Sequence, residues 1–203
     1  MSTIRRLVRE RPRLTGALLL VAGAAVAIAV LVSALGGDEP VRAQDGPTEP
    51  LRQAFVPSLG LSLLYPEDWD VRTAGQTLRL TSPEKSVTAT FAAPAGPGRT
   101  DEVRRALEGT VREALKNEDV LRRAQGRLGT NAVDTVELSG RRGGGQGVRV
   151  LLLAGASAWR TYGVTVTTAR RPSQRRVAEL AGVLASAELQ RPEAVRVEPE
   201  GGR

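Results

Sequence analysis

Hydrophobic and polar positions fall into three regimes along the chain. Residues 14–35 (LTGALLLVAGAAVAIAVLVSAL) carry no charge, and Thr15 and Ser33 are their only polar side chains. At about 1.5 Å per residue the run spans about 33 Å, enough to cross a hydrocarbon core of about 30 Å. A helix there satisfies its own backbone hydrogen bonds in lipid. Residues 36–57 have no sustained period, and Gly36, Gly37, Pro40, Gly46, Pro47 and Pro50 interrupt any regular element. They read as a flexible linker. From residue 58 the pattern becomes that of a folded domain, and it fades again after residue 189. Residues 190–203 hold two prolines, several charges and a Gly-Gly pair, which reads as a disordered tail.

Within 58–189 two periods alternate. Leu61, Leu63 and Tyr65 predict a strand, Pro66-Glu67-Asp68 a turn, and Trp69 to Arg72 the start of a second strand. Residues 77–81 and 86–91 predict a hairpin across Ser82-Pro83-Glu84-Lys85. The period then becomes helical. Thr100 is the expected N-cap, Asp101 and Glu102 occupy the first turn, and Val103, Leu107, Val111, Ala114 and Leu115 share a face up to about Asn117. Strands are expected at 120–128, 132–138, 148–153 and 159–168. The stretch 148–153 is apolar on both faces and so belongs inside a sheet. A last helix follows Pro172, with Ser173 as N-cap and Val177, Leu180, Ala181 and Leu184 as its apolar stripe. Hairpin-length connections and two amphipathic helices predict an α+β domain: a mostly antiparallel sheet with both helices packed on it.

Charge orients the chain. Arg5, Arg6, Arg9, Arg11 and Arg13 precede the apolar run, against Glu10, whereas Asp38 and Glu39 follow it. The positive-inside rule keeps residues 1–13 in the cytoplasm, makes 14–35 a single transmembrane helix and exports the domain. A cleaved signal peptide competes with this reading, because Val32-Ser33-Ala34 and Val41-Arg42-Ala43 both fit a small-residue cleavage pattern. The apolar run is longer than the usual 7–15 residues of a signal peptide, which favours an uncleaved anchor. Arg5-Arg6 raises the twin-arginine route, and the domain is exported on any of these readings. The basic leader accounts for +4 of the net +7. The remainder carries 24 of the 29 basic and 21 of the 22 acidic side chains, a net +3, with no footprint for nucleic acid.

Composition removes whole classes of chemistry. The chain has no cysteine and no histidine. Disulfides, thiolate sites, cysteine lipidation and a Ser-His-Asp triad are therefore excluded, and the commonest general base near neutral pH is missing. Carboxylate-only sites remain open. Glu67, Asp68 and Asp70 cluster at one turn, but without the spacing of a calcium loop or a glycosidase pair. No cofactor or metal site is expected.

Two basic stretches stand out. Arg141-Arg142-Gly143-Gly144-Gly145-Gln146-Gly147 could cradle a phosphate, but it lacks the Gly-Lys-Ser/Thr of a P-loop and does not enter a helix. A flexible hairpin tip is the better reading. Arg170-Arg171-Pro172-Ser173-Gln174-Arg175-Arg176 places four cations around a helix start, where the dipole disfavours them. Arg170, Arg171, Arg175 and Arg176 are the candidate interaction surface, for an anion, an acidic partner or lipid head groups. A solvated charge run is the alternative.

The stretch Gly60-Leu61-Ser62-Leu63-Leu64-Tyr65-Pro66-Glu67-Asp68-Trp69 resembles the opening strand–turn–Trp signature of PsbP-like domains. Trp159-Arg160-Thr161-Tyr162-Gly163-Val164-Thr165-Val166-Thr167 is similar to that family's late strand, and the helix through Leu184-Ala185-Ser186 to its close. The resemblance covers about residues 58–189. The chain departs from the family in having Asp68 where many relatives place Gly, and in lacking the lipobox cysteine of its lipoprotein members. The resemblance implies an antiparallel sheet between helices, with binding or accessory roles rather than catalysis. Tyr65, Pro66, Trp69, Trp159 and Tyr162 are its structural signature. Trp69 is expected in the core, since few other large side chains are available. The functional expectation is a non-enzymatic, membrane-tethered domain of the cell envelope that binds a protein partner. A small apolar or lipid ligand held between sheet and helix is the alternative, and a carboxylate- or serine-based hydrolase a third.

Overall fold

The computed structural model describes residues 50–192, so the expected leader, membrane-spanning run, most of the expected linker and residues 193–203 lie outside the described residues. Among the described residues no helix is long and apolar enough to cross a membrane. The element order is β1 (Leu51–Val56), β2 (Leu61–Pro66), β3 (Asp70–Ala74), β4 (Thr77–Thr81), β5 (Val87–Ala95), α1 (Thr100–Ala114), β6 (Lys116–Leu128), β7 (Asn131–Arg141), β8 (Gly147–Ala156), β9 (Thr161–Ala169), α2 (Gln174–Ala185) and β10 (Glu188–Leu189). Seven strands form one sheet in the order β3-β4-β5-β9-β8-β7-β6, and β1-β2-β10 form a second. Every pairing is antiparallel. The α+β class with a mostly antiparallel sheet and two helices is what the patterning predicts.

Strand alternation puts a different core on each face of the large sheet. On one face Leu78, Leu80, Ala89, Phe91, Leu151, Leu153, Val164 and Val166 meet the small sheet (Val56, Leu61, Leu63) and α2 (Val177, Leu180, Leu184). On the other, Val136, Leu138, Val148, Val150 and Leu152 meet Val111 of α1 and Leu115 just beyond its end. This is why residues 148–153 are apolar on both faces, Arg149 apart: β8 lies inside the sheet, between β9 and β7, and both its faces are covered. β6 is an edge strand, almost wholly exposed and heavily charged, which discourages edge-to-edge pairing.

Several boundaries differ from the sequence reading. Leu51–Val56, expected in the linker, is a strand paired along its whole length with β2, so the domain begins about seven residues earlier than residue 58. Its alternation is weak because Arg52 and Gln53 put polar groups on both faces. Thr100 is the first residue of α1 and not its cap; Arg99 precedes it, and no side chain caps that end. Leu115 is already extended and Asn117 has φ 52°, so the helix ends at Ala114. Trp69 lies in the turn before β3, and Trp159 in the turn before β9.

The expected N-cap of α2 is present. Ser173 is extended (φ −65°, ψ 146°), and its hydroxyl accepts a hydrogen bond from the Arg176 N–H. Ser173→Ala is expected to cost about 1 kcal/mol, read from urea unfolding of the full chain by circular dichroism. Beyond α2 the chain returns beside β2. Gly129 (φ +57°) packs so closely there that a Cβ would overlap the Ala187 carbonyl, which only glycine permits.

Candidate functional site

The residues singled out in the sequence separate into structural and surface groups. Trp69 is 4% exposed, and its indole N–H donates to Glu179 Oε2 at 3.0 Å. Tyr162 is buried and its hydroxyl donates to the Leu59 carbonyl at 2.8 Å; burial pushes the phenol's pKa up. Tyr65 is half-buried beside the main core and Pro66 is buried. Trp159 is 47% exposed, with the Arg191 guanidinium 5.3 Å from its ring centroid. Trp159 is thus a surface residue and not part of the late strand.

The four cations of the candidate surface do not act together. The Arg176 side chain is turned inward and buried. Its guanidinium donates to Glu179 at 2.6 Å, Glu84 at 2.9 Å and Asp68 at 3.1 Å. It therefore joins α2 to the β2–β3 and β4–β5 turns, and is corrected from surface cation to structural hub. Arg175 binds the other oxygen of Glu179 at 2.8 Å. Burial opposes charge on Glu84, but hydrogen bonds from Ser86, the backbone and Arg176 outweigh it and hold the carboxyl down to about 2. Burial likewise opposes charge on Glu179, where Arg175, Arg176 and Trp69 hold the pKa below its ordinary value. Arg170 and Arg171 remain exposed.

Topology then does something the linear motifs do not reveal. Val148 pairs with Ala169, so the β7–β8 tip and the end of β9 are neighbours. Arg170 lies across Gly147, where a Cβ would stand 3.4 Å from its Cδ. Arg141, Arg142, Arg170 and Arg171 consequently share one end of the large sheet. The tip is a closed turn, with Arg142 N–H donating to the Gln146 carbonyl at 2.9 Å and Gly145 N–H to the Arg142 carbonyl at 3.0 Å.

Beside this basic end lies an open crevice of about 190 Å³ between α1 and the sheet. Leu107, Val111 and Ala114 of α1, Leu115 just beyond its end, and Val148 and Val150 of β8 line it, together with Thr110, Thr165, Thr167 and Arg142. The helix and the residue just after it pack closely on two glycines of the sheet. A Cβ on Gly163 would stand 3.0 Å from Leu107 Cδ1, and one on Gly140 would stand 3.1 Å from Leu115 Cβ. Toward β9 the facing side chains are threonines, too short to fill the space beside the helix.

A second surface lies on the small sheet. The register sets Leu51 opposite Pro66, Gln53 opposite Leu64 and Phe55 opposite Ser62, all on its outer face. Leu51, Phe55 and Leu64 are 61%, 51% and 39% exposed. β1 is an edge strand, unpaired on its far side among the described residues. The sequence reading missed this surface, because Gln53 interrupts the same-face pair Leu51 and Phe55 and no clear alternation marks the strand.

One buried carboxylate stands apart. Glu137 on β7 is 4% exposed, with Arg149 Nη1 at 3.5 Å. Burial raises its pKa, while the charges of Arg149 and Arg122 pull the other way. A carboxyl whose folded pKa lies above its unfolded value of about 4.5 withdraws stability as pH rises between the two. The melting temperature of Glu137→Gln relative to the native chain should therefore climb as pH is raised from about 4.5 toward neutrality. A pH-independent difference would contradict this. Among the described residues no three carboxylates form a metal-holding group.

No protein-family model and no curated protein matches the chain. Among solved structures, a protein of Bacteroides thetaiotaomicron VPI-5482 superposes with a TM-score of 0.51 at 16% identity, over 69% of this chain and 48% of its own. The chain thus spans about half the length of that structure, and the likeness is one of fold. Cyanobacterial PsbP (CyanoP) of Synechocystis sp. PCC 6803 aligns over 74% of this chain and 99% of its own, with a TM-score of 0.49 at 13% identity. A point mutant of Mog1 aligns over 70% and 97%, with a TM-score of 0.49 at 5% identity.

Proposed function

We propose that this is a non-enzymatic PsbP-like domain, tethered to the membrane by residues 14–35, that binds a protein partner of the cell envelope. The observation that carries the binding reading is the outer face of β1–β2. Leu51 and Phe55 on β1 and Leu64 on the neighbouring β2 leave three large apolar side chains together in solvent, beside the edge of β1 that is unpaired among the described residues. A sheet edge of this kind accepts an added strand, with main-chain hydrogen bonds giving affinity and the apolar side chains giving specificity. The non-enzymatic part rests on composition, since neither histidine nor cysteine is present. The tether rests on the uncharged run 14–35 and the arginines before it.

The test is site-specific photocrosslinking in cells making the full-length chain. A crosslinking residue at Phe55 is expected to trap a defined protein adduct, and one at exposed Thr73 on β3 is not. Adding Leu51→Glu and Leu64→Glu should abolish the Phe55 adduct without lowering the melting temperature. Equal adducts from both positions, or an adduct indifferent to the glutamates, would sink the reading.

A further inference from the structure

We infer that the crevice between α1 and the large sheet is a binding site for a single-chain amphiphile with an anionic head, in chemical terms a medium-chain carboxylate. This site is separate from the β1–β2 surface and does not rest on that reading. Leu107, Val111 and Ala114 make one aliphatic wall and Val148 and Val150 part of the other, with the threonines Thr110, Thr165 and Thr167 beside them. An apolar chain laid between them removes chiefly its own surface from water, since Val111, Val148 and Val150 are already buried. The volume of about 190 Å³ falls below the roughly 300–1,000 Å³ of pockets that enclose drug-sized ligands. It therefore suits a thin chain and not a fused-ring molecule or a two-chain lipid.

The charge arrangement specifies the head group. Arg142 is itself a lining residue, and it has no carboxylate partner among the described residues. Arg141, Arg170 and Arg171 are gathered at the same end of the sheet by the β8–β9 register. A guanidinium matches a carboxylate in a two-point, charge-assisted geometry. An apolar trough that ends in unpaired guanidinium selects a ligand with one apolar tail and one anionic end.

The probe is a dodecanoate carrying a photoreactive diazirine in its chain, offered to the full-length protein held in zwitterionic lipid nanodiscs. Mass spectrometry should place the label on peptides from α1 and β8. Excess plain dodecanoate should displace it, and dodecanol should compete about tenfold less well, as expected for loss of one charge-assisted contact. Ala114→Trp fills the trough from a solvent-exposed position and should abolish labelling. Arg142→Ala should weaken it about tenfold and erase the preference for dodecanoate over dodecanol. Circular dichroism confirms that both variants fold. Label spread evenly over the chain, label confined to residues 14–35, labelling unaffected by Ala114→Trp, or equal competition by dodecanol would each overturn the assignment.

Discussion

Trp69→Ala is expected to destabilise the domain by about 3–5 kcal/mol, the range for deleting a large buried aromatic. Trp69 is 4% exposed and belongs to the core that joins the small sheet, α2 and the large sheet. The chain has only two tryptophans and two phenylalanines, and the other tryptophan, Trp159, is on the surface. Nothing of similar size stands by to fill the hole. The substitution also removes the donor to Glu179, whose side chain is only 7% exposed. Trp69→Phe is the milder change, because it keeps a six-membered aromatic ring in the core but loses the fused five-membered ring together with its N–H. It should cost about 1.5–3 kcal/mol, the scale of a hydrogen bond to a charged group. Urea unfolding followed by circular dichroism reads both. An alanine variant as stable as the native chain would refute the core role of Trp69.

Arg176→Met is expected to cost about 3 kcal/mol, the low end of the range for removing one partner of a buried ion pair. Methionine keeps the aliphatic bulk, so the loss reports the guanidinium. Glu179 is left buried with Arg175 and Trp69 as its remaining partners, which is why the low end applies. The same hub makes stability depend on acid. The carboxyls of Glu84 and Glu179 are held below their ordinary value of 4.5, so the stability they contribute is present above that value. It is lost as pH falls from about 4.5 toward the folded pKa, about 2 for Glu84. Arg176→Met should flatten this part of the pH–stability curve. A variant whose stability falls across that range as steeply as the native chain's would show that the hub does not set the acid sensitivity.

Hydrogen bonding and side-chain periodicity made much of the fold legible in the sequence. The hairpin across residues 82–85 was readable because a Ser-Pro-Glu-Lys turn separates two alternating runs, and the N-cap of α2 because Ser173 follows Pro172. The glycine-rich run after Arg142 was readable as a hairpin tip, since no helix follows it. β1 was not legible, because a half-exposed edge strand with polar groups on both faces resembles a linker. The crevice was equally hidden. It depends on where α1 and the residue just after it touch down on Gly163 and Gly140, two contacts made by strands that follow the helix in the chain.

The sequence by itself determined the local elements, the two-faced apolar character of β8, and the absence of thiol and imidazole chemistry. These follow from residue type and from neighbours a few positions apart. Only the tertiary structure decided which arginines are buried and which are free. Arg176 and Arg171 look alike in the linear motif, yet Arg176 meets Glu84 and Asp68, which stand 92 and 108 residues earlier in the chain. Arg170, by contrast, meets the tip that begins at Arg141. Charges pair by distance in space, and that distance is set by strand order and register, which a one-dimensional spacing does not contain.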